Sequence, residues 1–181
     1  MPGSTDKALN EFSRIVAPER LGGRKLSESI EASPAERTAV ARRLDILAVD
    51  RLTADLTVRV LGTRLYRVEG RWQADVQQAC VVTLAPVAGS LSGTLEATYE
   101  AVDGPGVADD EVEVDPEGAD PAEVLPAEGI DLGELVVQEL AVALDPYPRA
   151  PGAAVPAEYQ PPEVEDDVGP FAALKALKGD K

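Results

Sequence analysis

Between residues 52 and 60 an apolar side chain stands at every second position: Leu52, Ala54, Leu56, Val58 and Val60. That is the period of a β-strand with one face buried and one face wet, and Arg51, Asp55 and Arg59 fall on the wet side. Leu91, Leu95, Ala97 and Tyr99 alternate in the same way and predict a further long strand. Between the two, Gly62 marks a turn into a segment from about 64 to 69. Gly70 marks another turn, into Trp72, Ala74 and Val76, so the region reads as an antiparallel meander. Upstream, residues 11–16 and 27–32 are shorter candidate strands.

The pattern changes to helical spacing twice. Ser33-Pro34-Ala35-Glu36 is a helix start, with Ser33 as N-cap, Pro34 at the first helical position and Glu36 placed to close a capping box. The helix predicted from there to about Leu44 has Val40 and Leu44 on one face and Arg37, Arg42 and Arg43 mostly elsewhere. At the second site Asp131 is the cap and Glu134 takes the capping-box position. Leu135, Val136, Leu140, Ala143 and Leu144 then form an apolar stripe over 132–144, which Asp145-Pro146 stops. Residues 102–129 hold ten Asp and Glu and few large apolar groups, too little to offset the entropy of ordering, so they read as an acidic flexible loop. Residues 149–168 are a Pro-rich extended linker, and 169–178 a short helix opened by Pro170 with Phe171, Leu174 and Leu177 on neighbouring positions. The expectation is an α+β fold in a single domain: a twisted antiparallel sheet of four to six strands with two or three packed helices. The core would span 1–148, followed by the linker and the C-terminal helix.

Composition narrows the chemistry. Apolar residues make up 44% of the chain and aromatics only 4%, so the core is built from Leu, Val and Ala. No run approaches the roughly 20 apolar residues that span a bilayer, and no basic-then-greasy start precedes residue 20, so the expected location is the cytoplasm. Cys80 is the only cysteine, which excludes an internal disulfide and a cysteine-rich zinc site, and histidine is absent. Serine, cysteine and zinc mechanisms thereby lose their usual general base or ligand. Carboxylate, lysine or magnesium chemistry survives this test, but loose acids such as those within 103–120 are the mark of solvated charge rather than of a metal site with fixed geometry. The chain is therefore expected to be no enzyme and to need no cofactor or metal.

Charge is zoned. The formal net charge is −16, yet residues 1–71 carry thirteen Lys and Arg against ten Asp and Glu. From Trp72 to Pro148 there is no Lys or Arg and there are seventeen acids; the remainder has four bases and six acids. Phosphate neutralisation needs Lys and Arg, so direct RNA contact is confined to the first third, with Arg37, Arg42, Arg43, Arg59, Arg64, Arg67 and Arg71 as candidates. The acidic middle would attract basic proteins, of which ribosomal proteins are abundant examples; the competing reading is that it only maintains solubility.

Three stretches carry a family resemblance. The first is GRWQADVQQACVVTLAPV at 70–87, with Gln78, Cys80, Val81, Leu84 and Pro86 as its marks. The second is 130–148, with Asp131, Leu132, Glu139 and Leu140 before a proline-rich exit, and the third is Pro170, Phe171 and Leu174 near the end. Together, over about 8–178, they resemble the YceD family, proteins named for large-ribosomal-RNA accumulation in bacteria and plastids; the wording is similar to the alphaproteobacterial version. The resemblance implies a non-catalytic accessory role in accumulation or processing of large-subunit ribosomal RNA, and it brings no catalytic residues. It implies pre-ribosomal RNA or large-subunit ribosomal proteins as partners, with no membrane and no small-molecule substrate; oligomeric state stays open. The alternative is an acidic chaperone or nucleic-acid mimic for one basic ribosomal protein. Many members carry a second cysteine in the first motif where this chain has Thr83, so a zinc inference fails here. Cys80 is left as a small, semi-buried residue at a strand end, with no neighbouring cation in sequence to lower its pKa.

Overall fold

Three long strands carry the molecule, and the alternating residues 52–60 lie inside the first of them. In a computed structural model, which describes residues 10–21, 25–101 and 122–159, the chain runs through β1 (Ile15–Val16), β2 (Lys25–Glu31), α1 (Pro34–Arg43), β3 (Ala48–Leu61), β4 (Leu65–Ala79), β5 (Pro86–Glu100), β6 (Glu123–Val124), β7 (Ile130–Asp131) and α2 (Leu132–Ala143). Strands β2, β3, β4 and β5 pair antiparallel in that order, β6 adds to β5 in parallel, and β1 pairs antiparallel with β7 as a separate ribbon. The class is α+β, as the pattern predicts.

One face of the five-stranded sheet is the core. Val49, Leu52, Ala54, Leu56 and Val58 of β3 join Val68, Trp72, Ala74 and Val76 of β4 there. Val40 and Ala41 of α1 and Leu132, Val136, Val137 and Leu140 of α2 cover them, with Phe12 and Val16 closing the N-terminal side. At about 25 cal/mol per Å² of apolar area, fully burying each Leu or Val side chain contributes roughly 1.5–3 kcal/mol. The opposite face alternates out of phase and stays wet, carrying Arg51, Asp55, Arg59, Arg67, Glu69 and Arg71.

Gly70 is not a turn. Strand β4 runs through it without a break, with Gly70 opposite Leu56 in the register. A Cβ at this position would lie 2.2 Å from the Asp55 carbonyl oxygen and 2.7 Å from Leu56 Cδ2. The glycine thus serves close approach between β3 and β4, one of the two meanings a strand glycine can have. Gly62, with φ +68°, does make the β3–β4 turn.

Both helix starts are capped as expected, but by different means. At α1 the Ser33 hydroxyl accepts from Glu36 N and the Glu36 carboxylate accepts from Ser33 N at 2.7 Å, the complete capping box. At α2 the Asp131 carboxylate accepts from the N–H groups of Gly133 and Glu134, whereas Glu134 does not close the box; its carboxylate is taken by Arg43. Within the candidate strand 11–16 only Ile15–Val16 pairs as strand, because the N–H of Arg14 is spent on the Asp131 side chain.

Part of the stretch 102–129, expected as an acidic flexible loop, carries regular structure instead. Residues 122–129 are ordered: Leu125 N donates to Glu100 O at 2.9 Å beyond the β5–β6 pairing, and Gly129 N donates to Pro126 O at 3.0 Å. Residues 102–121 lie outside the described residues, as do 160–168 of the linker and the predicted helix 169–178. The chain divides into a unit of residues 1–150 and a second of 151–181. In the second, the described part holds a turn at Pro151-Gly152 and a 3₁₀ turn at Ala157–Tyr159.

Replacing Gly70 by Ala forces its neighbours apart, and the expected cost is about 1–3 kcal/mol, read as a lowered urea midpoint with an unchanged slope. Glu36 supplies a pH dependence. Its carboxyl is held down at about 2, first by the hydrogen bonds from Arg14 and then by those of Ser33. A carboxyl whose pKa is depressed in the folded state contributes stability that is present above about 4.5, its ordinary value, and is lost as pH falls toward 2. Glu36→Gln should therefore cost about 1 kcal/mol at neutral pH, with the gap to wild type closing between pH 4.5 and 2 in urea titrations.

Candidate functional site

The first family motif folds into a latch at the far end of β4. Cys80 N donates to Ala85 O at 2.8 Å and Leu84 N to Cys80 O at 2.9 Å, closing a tight turn in which Leu84 has φ +60°. The sulfur accepts from the N–H groups of Val82 and Thr83 at 3.4 Å each and from Ala150 N at 3.3 Å. Val81 N donates to Pro148 O at 2.9 Å, and Gln78 Nε2 donates to Asp145 O at 2.8 Å. The motif residues Gln78, Cys80 and Val81 thereby tie the β4–β5 turn to the chain leaving α2, while Pro86 starts β5 opposite Ala79.

Two expectations for Cys80 are corrected. The residue is fully buried rather than semi-buried. Its thiol is pulled down to about 6, first by the Ala150 N–H and next by the Thr83 hydroxyl, with burial opposing. No cation is needed, because N–H donors brought together by folding favour the charged sulfur. Such a group is inaccessible to a substrate, so its work is to hold chain to chain. In the second motif, Leu132 and Leu140 are fully buried in the core and Asp131 is the α2 cap, while Glu139 lies on the partly exposed side of α2. Pro170, Phe171 and Leu174 lie outside the described residues.

The seven candidate arginines do not form one surface. Arg37 and Arg42, with Leu47, line a cavity of about 450 Å³ between α1 and the start of β3, where Arg37 also donates to Ala32 O at 3.0 Å. Arg43 points the other way and forms a two-pronged pair with Glu134, both bonds 2.7 Å, plus a bond to Glu11 at 3.1 Å. Arg59, Arg67 and Arg71 share the wet sheet face, but Arg59 pairs with Glu69 at 2.8 Å and Arg67 pairs with Glu96. Arg71 stands directly across from Asp55. Arg64, by the β3–β4 turn, donates to Ala101 O at 2.8 Å. Counting bases in the sequence could not show that acids stand opposite them in the register.

What the fold does bring together is acid. A cavity of about 520 Å³ opens between the N-terminal segment, the β5–β6 edge and the start of α2, lined by Glu123, Glu128, Asp131 and Glu134 with apolar walls from Ile15 and Leu135. Asp131 is the busiest of these. Its Oδ1 accepts from Arg14 N at 2.7 Å and Gly133 N at 3.1 Å, and its Oδ2 accepts from Asn10 Nδ2 at 3.0 Å. Glu134 is held below the usual carboxylate range, chiefly by Arg43. Tyr99, 6% exposed, also lines the cavity. Burial, followed by the negative charges of Glu123 and Asp131, pushes its hydroxyl up to about 12. From sequence, Asp131 and Glu134 were legible only as helix-start residues and Glu123 only as loop charge; the cavity depends on β6 joining β5, which no local pattern announces.

Among the described residues no group of His, Cys, Asp and Glu is placed to hold a metal ion, and no helix is long and apolar enough to cross a membrane. A family model described as "Large ribosomal RNA subunit accumulation protein YceD" matches residues 68–178, more than half of the chain. The chain belongs to the YceD family. No curated protein and no solved structure matches it. Membership attaches this YceD chain to accumulation of large-subunit ribosomal RNA, the role its family is named for. The matched stretch contains the latch, α2 and most of the acidic cavity. Of the seven candidate arginines it contains Arg71 alone.

Asp131→Ala should remove a helix cap and the anchor of the N-terminal segment together. The expected cost is about 2 kcal/mol in chemical denaturation, accompanied by faster hydrogen exchange at Arg14 N and Gly133 N. Exchange unchanged at Arg14 would show that this carboxylate does not hold the segment.

Proposed function

We propose that this protein is a non-catalytic accessory factor of large-subunit assembly in the cytoplasm, and that it supports ribosomal RNA accumulation by holding a basic protein component rather than by gripping RNA. The observation that carries this reading is the opposite fate of the two charge types. Arg59 and Arg67 are spent on the molecule's own carboxylates on the wet sheet face; at the cavity four carboxylates converge, of which Arg43 takes Glu134, and no Lys or Arg stands among the described residues that line it. Exposed ion pairs contribute only about 0–1 kcal/mol each to stability, but they cancel the field that phosphate binding needs. A cluster of one sign beside low-dielectric walls does the reverse: it focuses potential and steers an oppositely charged partner.

A second reading rests on Arg37 and Arg42, which share the cavity beside Leu47 and offer two guanidinium groups to a phosphate backbone. In it the chain contacts pre-ribosomal RNA directly through α1.

A tagged full-length chain recovered from growing cells at two salt concentrations, with and without ribonuclease, separates the two readings. The expected outcome is a basic large-subunit protein that stays bound after ribonuclease treatment and is released at the higher salt. Loss of the partner on ribonuclease treatment, together with loss in an Arg37→Glu, Arg42→Glu variant, would establish the RNA reading instead. Saturable turnover of precursor RNA by the purified protein would overturn both.

A further inference from the structure

The acidic cavity has a chemistry more specific than its charge. Of its four carboxylates, Asp131 and Glu134 are bonded to Asn10, Arg14 and Arg43 of the chain itself. Glu123 differs: it sits on the exposed two-residue β6 and has no ion pair or side-chain hydrogen bond among the described residues. Beside it in the register stands Tyr99, more than nine-tenths buried, whose hydroxyl lines the cavity and has no hydrogen-bond partner among the described residues. The phenol oxygen is not among the described side-chain atoms sealed off without a partner, so it stays open to the cavity, where a group arriving from outside can bond to it. No Lys or Arg stands among the described residues lining the cavity, so the charge it presents is negative.

The walls add shape. Ile15 is 40% exposed, and Leu135 and Pro126 give further apolar surface between the rim and the carboxylates. An occupant that meets all of these at once has an apolar stem and a cationic tip with several N–H donors. A lysine side chain has that form: a four-carbon stem that buries along apolar surface and a compact ammonium with three donors. The cavity volume of about 520 Å³ falls within the roughly 300–1,000 Å³ typical of ligand sites.

Resting on the reading above that the partner is a basic protein, we propose that this cavity is the seat of a lysine side chain from that partner, its ammonium taken by Glu123 and the Tyr99 hydroxyl and its stem lying along Ile15 and Leu135. Free polyamines share the alkylammonium chemistry. A polypeptide is favoured because the apolar wall continues to the exposed rim at Ile15, where the chain flanking the lysine would lie.

The test uses the full-length protein and a fluorescent lysine-rich peptide, with an arginine-rich peptide of equal charge and spermidine as competitors. Glu123→Gln removes one charge and Tyr99→Phe one hydroxyl. Glu31→Gln, an exposed acid on β2, removes the same charge elsewhere. Circular dichroism on each variant establishes that it is folded. Expected is a loss of about tenfold in affinity for Glu123→Gln and threefold or more for Tyr99→Phe, with Glu31→Gln within twofold of wild type and the lysine peptide preferred over the arginine peptide. Equal losses for Glu123→Gln and Glu31→Gln would mean a general field and no seat. Spermidine competing at a concentration equal to the peptide would overturn the assignment to a polypeptide. If the cell-derived partner still binds while Glu123→Gln and Tyr99→Phe bind the peptide like wild type, the cavity assignment fails and the assembly reading stands. If no basic protein is recovered from cells at either salt concentration, it is the assembly reading that fails.

Discussion

A single carboxylate, that of Asp131, joins parts of the chain that the sequence keeps more than a hundred positions apart. It caps α2, receives the backbone N–H of Arg14 and takes the Asn10 amide. Arg14, fixed there, reaches Glu36 at the start of α1 at 2.7 Å and lies 4.8 Å above the Phe12 ring. Arg43 at the end of α1 is gripped by Glu134, one turn into α2. The segment 10–16 is thus held between the helices by charge-assisted bonds at both ends, about twice as strong individually as neutral ones. Phe12 and Val16 supply the burial beneath. Without the Asp131 contact the segment has little regular structure to keep it, since β1 is only two residues long.

The latch at Cys80 solves a comparable problem at the opposite end of the sheet. A strand turn and the exit of a helix must be joined where their large apolar side chains, Leu84 and Tyr147, stay exposed and do not join them. A sulfur accepting N–H groups from both sides joins them in little volume. Thr83 turns its hydroxyl to that sulfur as well. The position at which the family resemblance leads one to expect a second cysteine is therefore filled here by a donor to the first. This explains how the turn is held in a chain with one cysteine, and why a lowered thiol pKa signals architecture at this site. Perturbed pKa values mark functional sites only on average, and a group sealed from solvent on all sides is the exception to expect.

The class of fold was legible because it rests on periodicities that survive without context: period two in β3 and β5, and the capping box at Ser33 and Glu36. The errors share a cause. Gly70 carries the same symbol whether it makes a turn or lets Leu56 approach, and only the register decides. Glu134 had the right spacing for a capping box, but Arg43 offers a two-pronged partner, and a charge-assisted pair outcompetes one backbone N–H. Residues 123 and 124 of the acidic stretch are strand because β6 takes a place on the β5 edge, a pairing across some twenty residues that hydrophobic pattern does not encode. Family resemblance could rank Cys80 and Asp131 as marks, but not say that one is a latch and the other a clamp.

Charge zoning along the sequence was the most suggestive feature and the one that translated least directly into space. The basic first third suggests a cationic surface, yet β3 and β4 alternate arginine with acid in phase, so that Arg59 meets Glu69 and Arg51 meets Asp75. Their excess cancels locally. The acidic middle, by contrast, has no bases of its own: Arg51 and Arg67 meet its Asp75 and Glu96 on the sheet, and Arg14 and Arg43 come to the start of α2. Arg43 pairs with Glu134, Arg14 spends its guanidinium on Glu36 and gives Asp131 its backbone N–H, and Glu123 faces the cavity with no ion pair among the described residues. The N-terminal segment lies before the stretch matched by the family model, yet it supplies the Ile15 wall and the bonds that fix Asp131. The cavity is thus built jointly by the stretch that the family model matches and by residues that precede it. A change at Ile15 would therefore alter the apolar wall of the cavity and leave its carboxylates in place.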